Sequence, residues 1–276
     1  MNMKKIECIV SDIDYTLAVK GGQLMPLTKE ALTRAHNKGI KVGLASGREI
    51  NKMLVNQDVI WGLDFKFDFI IGMNGGQLLD IRNERSYSIE LMNKELMKEI
   101  LTTLMPIIDE YKVTVNVEGG NNFYALNIND SLLEAANRKK VTYIESDADT
   151  ICSLGAYKFL FRYSKDSGEK IRELINAKYS DILQCTETFP GIIEVFEKGY
   201  DKGTGIAMYA KWNNIDLNNT IAFGDNENDI PMLKVAGKSI VVKNATDITK
   251  KEADVILEYS CFEDGVGHYL LDNNLV

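Results

Sequence analysis

The stretch IECIVSDIDYTL, residues 6–17, begins with an apolar run and continues into two carboxylates, Asp12 and Asp14. Residues 6–10 predict a buried strand, and ligands of parallel α/β sheets bind outside the carboxyl ends of the strands. Two acids one residue apart are costly at such a place, because like charges repel and burial disfavours ionisation. The pair therefore predicts a cation site or a role in phosphate transfer at the end of the first strand.

The segments that follow alternate between strand and helix patterns. Residues 40–45 and 67–73 predict two further buried strands. A helical pattern over residues 28–38 has Thr28 as its expected N-cap, and a second helix is expected over residues 48–55. This alternation predicts a parallel sheet with right-handed crossovers.

The rhythm changes in the middle of the chain. Residues 77–81 and 86–91 predict a β-hairpin, and the helices and strands that follow have the helices on one side, as in a separate α+β unit that we place at residues 80–198. From residue 199 the alternating pattern returns. We therefore expect an α/β fold with a Rossmann-like parallel-sheet core, residues 1–79 and 199–276, and a second domain of residues 80–198 inserted into it.

Composition excludes several classes of function. A net charge of −8, with no dense block of Lys and Arg, argues against a nucleic-acid surface. No stretch is long and apolar enough to predict a membrane span. The four cysteines include no Cys-x-x-Cys pair and are expected to be free thiols in a reducing cytosol, which predicts a cytoplasmic protein. With only His36 and His268, chemistry must use carboxylates, Lys, Ser and the backbone.

Four segments of the expected core place polar or small residues after a strand or at a helix start. They are residues 12–14, 46–48, 202–203 and 224–229. If the strands of the core are parallel and adjacent, these segments meet at one edge of the sheet.

Phosphoryl transfer is the chemistry that needs such a set. One carboxylate can act as the nucleophile, and a second carboxyl can protonate the leaving oxygen. Mg²⁺ prefers hard oxygen ligands, which suits Asp12 together with Asp225. Ser46 at the expected start of a helix can cradle a phosphate, and Lys202 can neutralise it.

This ordered set resembles the haloacid-dehalogenase (HAD) superfamily of phosphohydrolases. The family pattern Asp-x-Asp-x-Thr, then Ser or Thr, then Lys, then Gly-Asp-x-x-x-Asp matches residues 12–16, Ser46, Lys202 and residues 224–229. The longer string GDNENDIPML, residues 224–233, is similar to the Cof-type branch, class IIB, which carries an inserted α/β cap domain. The set is specific as a whole, although each motif alone is weak.

The resemblance implies a role for each matching residue. Asp12 would be the nucleophile, Asp14 the general acid and base, and Asp229 the holder of metal-bound water. The metal would be Mg²⁺, held by Asp12, by the backbone carbonyl of Asp14 and by Asp225. The phosphate would contact Ile13, Ser46, Gly47, Lys202 and Asn228.

Two residues beside these motifs receive a different interpretation. The family usually has Gly after the second Asp, and this chain has Tyr15, which lacks the backbone freedom of Gly. Tyr15 is expected to narrow the leaving-group side or to shift Asp14. Arg48 is interpreted as a charge on a helix surface and is given no role.

The favoured hypothesis is a Mg²⁺-dependent phosphatase that hydrolyses a small phosphomonoester through an aspartyl-phosphate. The substrate would be a sugar phosphate or a cofactor- or nucleotide-derived phosphate, and the inserted domain would close over the site and select the leaving group. One alternative is a phosphomannomutase-like phosphotransferase. Another is a non-enzymatic sensor whose acidic pocket is phosphorylated to change its partners.

Overall fold

The computed structural model describes residues 5–119 and 122–276. The chain divides into two compact units, one of Met1–Ser88 with Tyr200–Val276 and one of Ile89–Gly199. Each unit has a sheet and hydrophobic clusters of its own.

The secondary structure alternates in the first unit and is mixed in the second. The strands are β1 (Cys8–Ser11), β2 (Lys41–Ala45), β3 (Phe69–Gly72), β4 (Gln77–Asp80), β5 (Arg85–Ser88), β6 (Thr114–Gly119), β7 (Asn122–Leu126), β8 (Thr142–Glu145), β9 (Lys158–Arg162), β10 (Leu183–Phe189), β11 (Ile192–Glu197), β12 (Thr220–Gly224), β13 (Lys238–Val241) and β14 (Val255–Ile256).

The α-helices flank these strands. They are α1 (Pro26–Asn37), α2 (Lys52–Val55), α3 (Gln57–Trp61), α4 (Lys94–Tyr111), α5 (Asp130–Lys139), α6 (Ala148–Leu154), α7 (Lys165–Tyr179), α8 (Lys202–Asn213), α9 (Ile230–Val235), α10 (Asp247–Lys250) and α11 (Gly265–Asp272). Short 3₁₀ turns occur at Met73–Gly75, Leu217–Asn219, Glu227–Asp229 and Cys261–Glu263.

The sheet of the first unit has the strand order β14-β13-β12-β1-β2-β3-β4-β5. Strands β14 to β3 are parallel to one another, and β4 and β5 continue the sheet in antiparallel pairing. The central strand β1 lies between β2 and β12, with Val10 opposite both Gly43 and Ala222. The predicted α/β fold with a parallel-sheet core is confirmed.

Both faces of this sheet are buried, as parallel sheets require. Along β1, Ile9 packs into one apolar cluster with helix α1, and Cys8 and Val10 pack into another with helices α8 and α9. Because successive side chains of a strand point to opposite faces, one short apolar run supplies both layers. All three side chains have no exposed surface.

The hairpin of β4 and β5 lies in the first unit, so the first domain boundary drawn from the sequence is wrong. The prediction placed it between residues 79 and 80, whereas the units divide after Ser88. The physical reason is that β4 pairs with β3, Ile70 opposite Leu79, and so extends the core sheet. The second boundary lies before Tyr200, one residue from its predicted place.

The second unit contains a sheet with the order β10-β11-β9-β6-β7-β8. One face carries Val115, Phe161 and Val195, which pack in the same cluster as helices α4, α6 and α7. On the other face, Phe123 packs against Leu132 of α5. Helices therefore lie on both faces, and the prediction of helices on one side only is wrong. Strand β8 and helix α6 were not predicted.

Helix α1 begins earlier than the sequence suggested, so Thr28 is not its N-cap. The helix starts at Pro26, and Pro suits a first turn because its missing N–H would have no partner there. The carboxylate of Asp264 accepts hydrogen bonds from the backbone N–H groups of Leu27, at 2.6 Å, and Thr28, at 2.8 Å. A residue distant in sequence thus satisfies the first turn of this helix.

Two further sequence expectations concern the whole chain. Cys8, Cys152, Cys185 and Cys261 are free thiols, as predicted. Within residues 5–119 and 122–276, no helix combines the length and apolar character needed to cross a membrane.

Candidate active site

The loops after β1 and β12 bring two of the predicted acids together. The strands are adjacent and parallel, and the backbone N–H of Asp12 donates to the carbonyl of Phe223 at 3.0 Å. Asp225 follows directly on the last residue of β12. The hydroxyl of Thr16 donates to Oδ1 of Asp225 at 2.6 Å. This hydrogen bond ties the first loop to the second.

Lys202 is the centre of a buried ion network. Its side chain has no exposed surface, and its Nζ lies 2.6 Å from Oδ1 of Asp12 and 2.6 Å from Oδ1 of Asp229. Helix α8 begins at Lys202, and Asp201 before it forms a capping box with Thr204. A capped helix start therefore holds the ammonium group against two carboxylates from different loops.

Asp229 organises the loop after β12. Its Oδ2 accepts the backbone N–H groups of Asp225, at 2.9 Å, and Asn226, at 3.0 Å. Gly224 is required for this close approach, because a Cβ atom at that position would lie 2.5 Å from Cβ of Asp229. With Lys202 on its other oxygen, Asp229 is fully engaged in holding its neighbours.

The carboxyl groups of the centre have strongly altered acidity. The pKa of Asp12 is raised to about 7, because burial raises it more than the neighbouring Lys202 lowers it, and Asp229 adds to the rise. Burial, together with Asp12 and Asp229, also raises the pKa of Asp225 well above its ordinary value. Burial alone would lower the pKa of Lys202, but the two carboxylates beside it raise that pKa above the usual value. Negative charge is thus concentrated where one lysine only partly compensates it.

Three carboxylates of this centre fit a divalent cation. Asp12, Asp225 and Asp229 each offer an oxygen, and these oxygens lie within 4.8 Å of one another. Carboxylate oxygens are the hard ligands that Mg²⁺ prefers, and a cation would favour the ionised forms that burial opposes. The residues present therefore suit Mg²⁺. The carboxylate of Asp14 does not belong to this group.

Asp14 is paired with Arg48, a residue to which the sequence analysis gave no role. The Nε of Arg48 donates to Oδ2 of Asp14 at 3.1 Å, and Nη2 donates to Oδ1. Such a two-pronged pair fixes the orientation of a carboxylate as well as its charge. The interpretation of Arg48 as a helix-surface charge is wrong, because α2 begins only at Lys52. Its place directly after Ser46 and Gly47 was the available signal.

Ser46 does not stand at a helix start, contrary to the prediction. Residues 46–51 are non-helical, and the hydroxyl of Ser46 accepts the backbone N–H of Arg48 at 3.2 Å. The segment does not form a helix because its backbone groups hydrogen-bond to other segments. The carbonyl of Arg48 accepts from the N–H of Met73, and the N–H of Ile50 donates to the side chain of Gln77. A phosphate cradle here would use the Ser46 hydroxyl and turn amides rather than a helix dipole.

Two of the remaining predicted phosphate contacts, Gly47 and Asn228, lie at Asn74, a residue that follows strand β3. Asn228 donates from Nδ2 to Oδ1 of Asn74 at 3.0 Å. A Cβ atom on Gly47 would lie 3.1 Å from the same oxygen. Ile13 is buried within the loop after β1, and its carbonyl accepts from Leu17 and Ala18. The structure therefore brings the predicted residues together in two groups, one around Lys202 and one around Asn74, and Ile13 and Asp14 belong to neither.

Tyr15 occupies the backbone conformation that a glycine would adopt freely. Its φ of 69° lies in the left-handed region. The backbone N–H of Tyr15 donates to the carbonyl of Ala18 at 2.7 Å, and its carbonyl accepts from Nδ2 of Asn244 at 2.9 Å. Tyr15 thus occupies a conformation that is costly for a residue with a bulky side chain.

Comparison with known proteins assigns the chain to a family. The model of the haloacid dehalogenase-like hydrolases matches residues 9–270, which is nearly the whole chain. The predicted resemblance to this superfamily is therefore confirmed.

Individual relatives match over almost their full length. A 5-amino-6-(5-phospho-D-ribitylamino)uracil phosphatase of Bacillus subtilis is 26% identical, over 96% of this chain and 97% of its own. An HMP-PP phosphatase of Yersinia pseudotuberculosis is 22% identical, over 94% and 92%. Among solved structures, a HAD subclass IIB sugar phosphatase has a TM-score of 0.78 at 21% identity, over 98% of this chain and 100% of that one. The last likeness concerns the fold.

Proposed function

The chain belongs to the haloacid dehalogenase-like hydrolase family, and from this premise we propose that it is a Mg²⁺-dependent phosphatase that acts through an aspartyl-phosphate on Asp12. The observation that carries the proposal is the pairing of Asp12 with the fully buried Lys202 beside Asp225 and Asp229. The phosphatase names of relatives that match nearly the whole chain support the same activity.

In the first step, a carboxylate oxygen of Asp12 attacks phosphorus, and the bond between phosphorus and the ester oxygen breaks. Lys202 favours the ionised form of Asp12 and offsets the charge of the transferring group. Asp14 gives a proton to the departing oxygen, so that the product leaves as a neutral alcohol. Because both oxygens of Asp14 accept from Arg48, that arginine must release one of them when the carboxyl carries its proton.

In the second step, water attacks the phosphorus of the aspartyl-phosphate. Asp14 takes a proton from the water, the bond between Asp12 and phosphorus breaks, and inorganic phosphate leaves. Arg48 binds both oxygens of Asp14 between the two steps, while that carboxyl is ionised, and releases one of them when Asp14 takes the proton from water. We assign Arg48 the role of a positioning residue, since it acts on the reaction through Asp14.

The metal would be held by Asp12, Asp225 and the backbone carbonyl of Asp14, with Asp229 supporting bound water. When bound, Mg²⁺ would neutralise charge on the phosphate oxygens. Asp229 suits an indirect role, since Lys202 and two backbone N–H groups already occupy its oxygens. Ser46, Gly47, Ile13 and Asn228 would hold the phosphate.

The substrate class is proposed as a small organic phosphomonoester, which agrees with the name of the Bacillus subtilis relative. Residues 89–199 are proposed to select the leaving group. A panel of phosphometabolites with Mg²⁺ would identify the class.

The test of the activity uses the variant Asp12→Asn. It removes the nucleophile without changing side-chain volume, so we expect phosphate release from p-nitrophenyl phosphate to fall by about 10³-fold or more. Asp80→Asn is the matched control, because Asp80 is equally buried in the same unit but bonds to Asn83 and Asn213 on the edge away from the site. That variant should keep its rate.

Three results would contradict the proposal. Normal turnover by Asp12→Asn would remove Asp12 as nucleophile. Formation of an isomerised sugar phosphate, instead of free phosphate, would indicate a phosphotransferase. A long-lived acyl-phosphate after treatment with acetyl phosphate, without release, would indicate a sensor.

A further inference from the structure

An aromatic side chain is held in a strained conformation directly after Asp14. Left-handed backbone angles are costly for a bulky residue, and they persist only where the surroundings impose them. At Tyr15 the imposing contacts include the hydrogen bonds to Ala18 and Asn244. A smaller residue would satisfy both of these backbone hydrogen bonds at lower cost. The ring of Tyr15 is therefore the feature that needs a reason.

Tyr15 has an aromatic neighbour from a distant segment. The ring of Phe262 lies with its centroid 6.4 Å from that of Tyr15, and the ring planes are tilted by 52°. Phe262 is 57% exposed, although Cys261 before it is buried. Centroid distances of this size are typical of an interacting aromatic pair. The two rings thus form an aromatic pair, and its Phe262 member is largely exposed.

A single asparagine fixes both members of the pair. Asn244 donates from Nδ2 to the carbonyl of Tyr15 and accepts with Oδ1 from the backbone N–H of Cys261 at 2.8 Å. The side chain can make both bonds only if the loop after β1 and the turn at Cys261–Glu263 keep their present separation. The spacing of the two rings is thus set by the protein before any ligand binds.

The pair lies beside the reacting groups in the chain. Asp14, the proposed acid and base, precedes Tyr15, and Thr16, which binds Asp225, follows it. A leaving group whose ester oxygen is protonated by Asp14 must pass close to the next residue. Whatever is attached directly to that oxygen is therefore the part of the substrate that can reach the two rings.

We propose that Tyr15 and Phe262 form an aromatic wall that binds a planar ring in the leaving group, and that the preferred substrates are aryl or arylmethyl phosphates. This inference rests on the proposed phosphatase activity and names its substrate class. The ring must be bonded to the ester oxygen directly or through one methylene, because a longer linker would carry it past the wall. An aromatic ring gains more binding free energy from contact with the two tilted rings than a saturated ring of similar size does.

The test compares benzyl phosphate with cyclohexylmethyl phosphate in the presence of Mg²⁺. These esters have the same number of carbons and similar leaving alcohols, and they differ in whether the ring is planar. We expect kcat/KM for benzyl phosphate to exceed that for cyclohexylmethyl phosphate by about fivefold. The dissociation constants of benzylphosphonate and cyclohexylmethylphosphonate, measured by calorimetry, should differ in the same direction.

Variants distinguish the effect of the Tyr15 ring from the effect of its backbone conformation. Tyr15→Phe keeps the ring and should keep the preference. Tyr15→Asn removes the ring, and Asn tolerates the left-handed region. The ratio of kcat/KM for benzyl phosphate to that for cyclohexylmethyl phosphate should therefore fall towards one. Phe262→Leu should also lower the ratio, and it leaves the strained position untouched. Tyr87→Leu changes an exposed aromatic residue of strand β5 and should retain the ratio of the unmodified protein.

The outcomes distinguish this inference from the activity on which it rests. Equal kcat/KM values for the two esters would overturn the aromatic wall and leave the phosphatase proposal intact. A ratio unchanged in Phe262→Leu would also overturn the wall. If neither these esters nor p-nitrophenyl phosphate nor any member of the phosphometabolite panel released phosphate, the phosphatase proposal would fail. The phosphonates would still decide in that case, since equal affinities overturn the wall and tighter binding of benzylphosphonate supports it.

Discussion

At the scale of single residues, the centre is organised by ion pairs with very different surroundings. Lys202 is fully buried between two carboxylates, whereas Arg48 and Asp14 are about a quarter exposed. Removing one partner of a buried pair leaves an uncompensated charge, while an exposed pair contributes little to stability. Lys202 is thus expected to matter for folding and reaction, and Arg48 chiefly for the reaction.

The two-pronged contact of Arg48 leads to the first prediction at this scale. Arg48→Lys keeps the charge but cannot bind both oxygens of Asp14, so the carboxyl loses its orientation. We expect kcat to fall by about tenfold to a hundredfold, with a small change in KM. Steady-state kinetics of phosphate release checks this. Arg34→Lys is the control, because Arg34 forms an exposed pair with Glu30 on helix α1. An unaltered kcat in Arg48→Lys would contradict the positioning role.

The raised pKa values predict how pH and Mg²⁺ affect stability. The pKa of Asp12 rises from an ordinary 3.8 to about 7 in the folded chain, because burial disfavours its charge. Without metal, this group stabilises the fold fully below about pH 4, and that contribution is lost as pH rises through about 7. Asp225, whose pKa is also raised, acts in the same direction.

Mg²⁺ should reverse this loss, because a cation favours the ionised carboxylates. We expect saturating Mg²⁺ to increase the free energy of unfolding more at about pH 8 than at about pH 5, by ~1 kcal/mol or more. Urea denaturation with Mg²⁺ or with a chelator measures the difference. Asp225→Asn should weaken the Mg²⁺ effect, whereas Asp247→Asn on helix α10 should not. The same Mg²⁺ effect at both pH values would exclude these carboxylates as the binding site.

At the scale of elements, the position of helix α8 depends on the turn that follows β3. Gly75 in that turn has a φ of 103°, and a Cβ atom there would lie 1.9 Å from the carbonyl oxygen of Asp201. Asp201 caps α8, and Lys202 is the first residue of this helix. One turn thus sets the place of Lys202 through backbone contact.

Gly75→Ala should therefore disturb both stability and activity. We expect the free energy of unfolding to fall by about 2–3 kcal/mol, from overpacking and from the left-handed φ, and kcat to fall with it. Gly39→Ala is the matched control, since Gly39 also has a positive φ, of 80°, but no atom within 4 Å of the added Cβ. That variant should lose only about 1 kcal/mol and keep its kcat. Equal losses in the two variants would show that the contact with Asp201 has no effect.

At the scale of the whole molecule, the chain folds as two units that each contain a core. In Ile89–Gly199 a single cluster joins both ends of that segment, from Met92 and Met97 to Ile193 and Val195. These side chains are almost completely buried. All strands of the sheet in the second unit come from the same segment, which also has its own core. Such a segment is expected to fold alone.

An excised fragment of residues 89–199 should therefore unfold cooperatively. From urea denaturation we expect a free energy of unfolding of about 5 kcal/mol or more. The fragment should also show a near-ultraviolet circular dichroism signal, as a folded core does. Phe161→Ala in the same fragment removes a fully buried ring and should lower that free energy by about 3–5 kcal/mol. A gradual transition that Phe161→Ala leaves unchanged would contradict the independent core.

Local patterns in the sequence were enough to predict the parallel-sheet core and the place where polar residues gather. This information lies in the apolar run around Ile9 and in the ordered motifs from Asp12 to residues 224–229. Hydrophobic periodicity and the order of motifs can both be read directly from the chain. They do not depend on which segments become neighbours. The family assignment and the fold class followed from them.

Only the tertiary structure decided which distant groups are partners. The contact of Arg48 with Asp14, the capping of α1 by Asp264 and the addition of β4 to the core sheet join residues that no local pattern relates. Each depends on where a separate loop or strand lies after folding, and a hydrogen bond acts only within about 3 Å. The aromatic pair of Tyr15 and Phe262 arises in the same way, since 246 residues of chain separate two rings that Asn244 holds together.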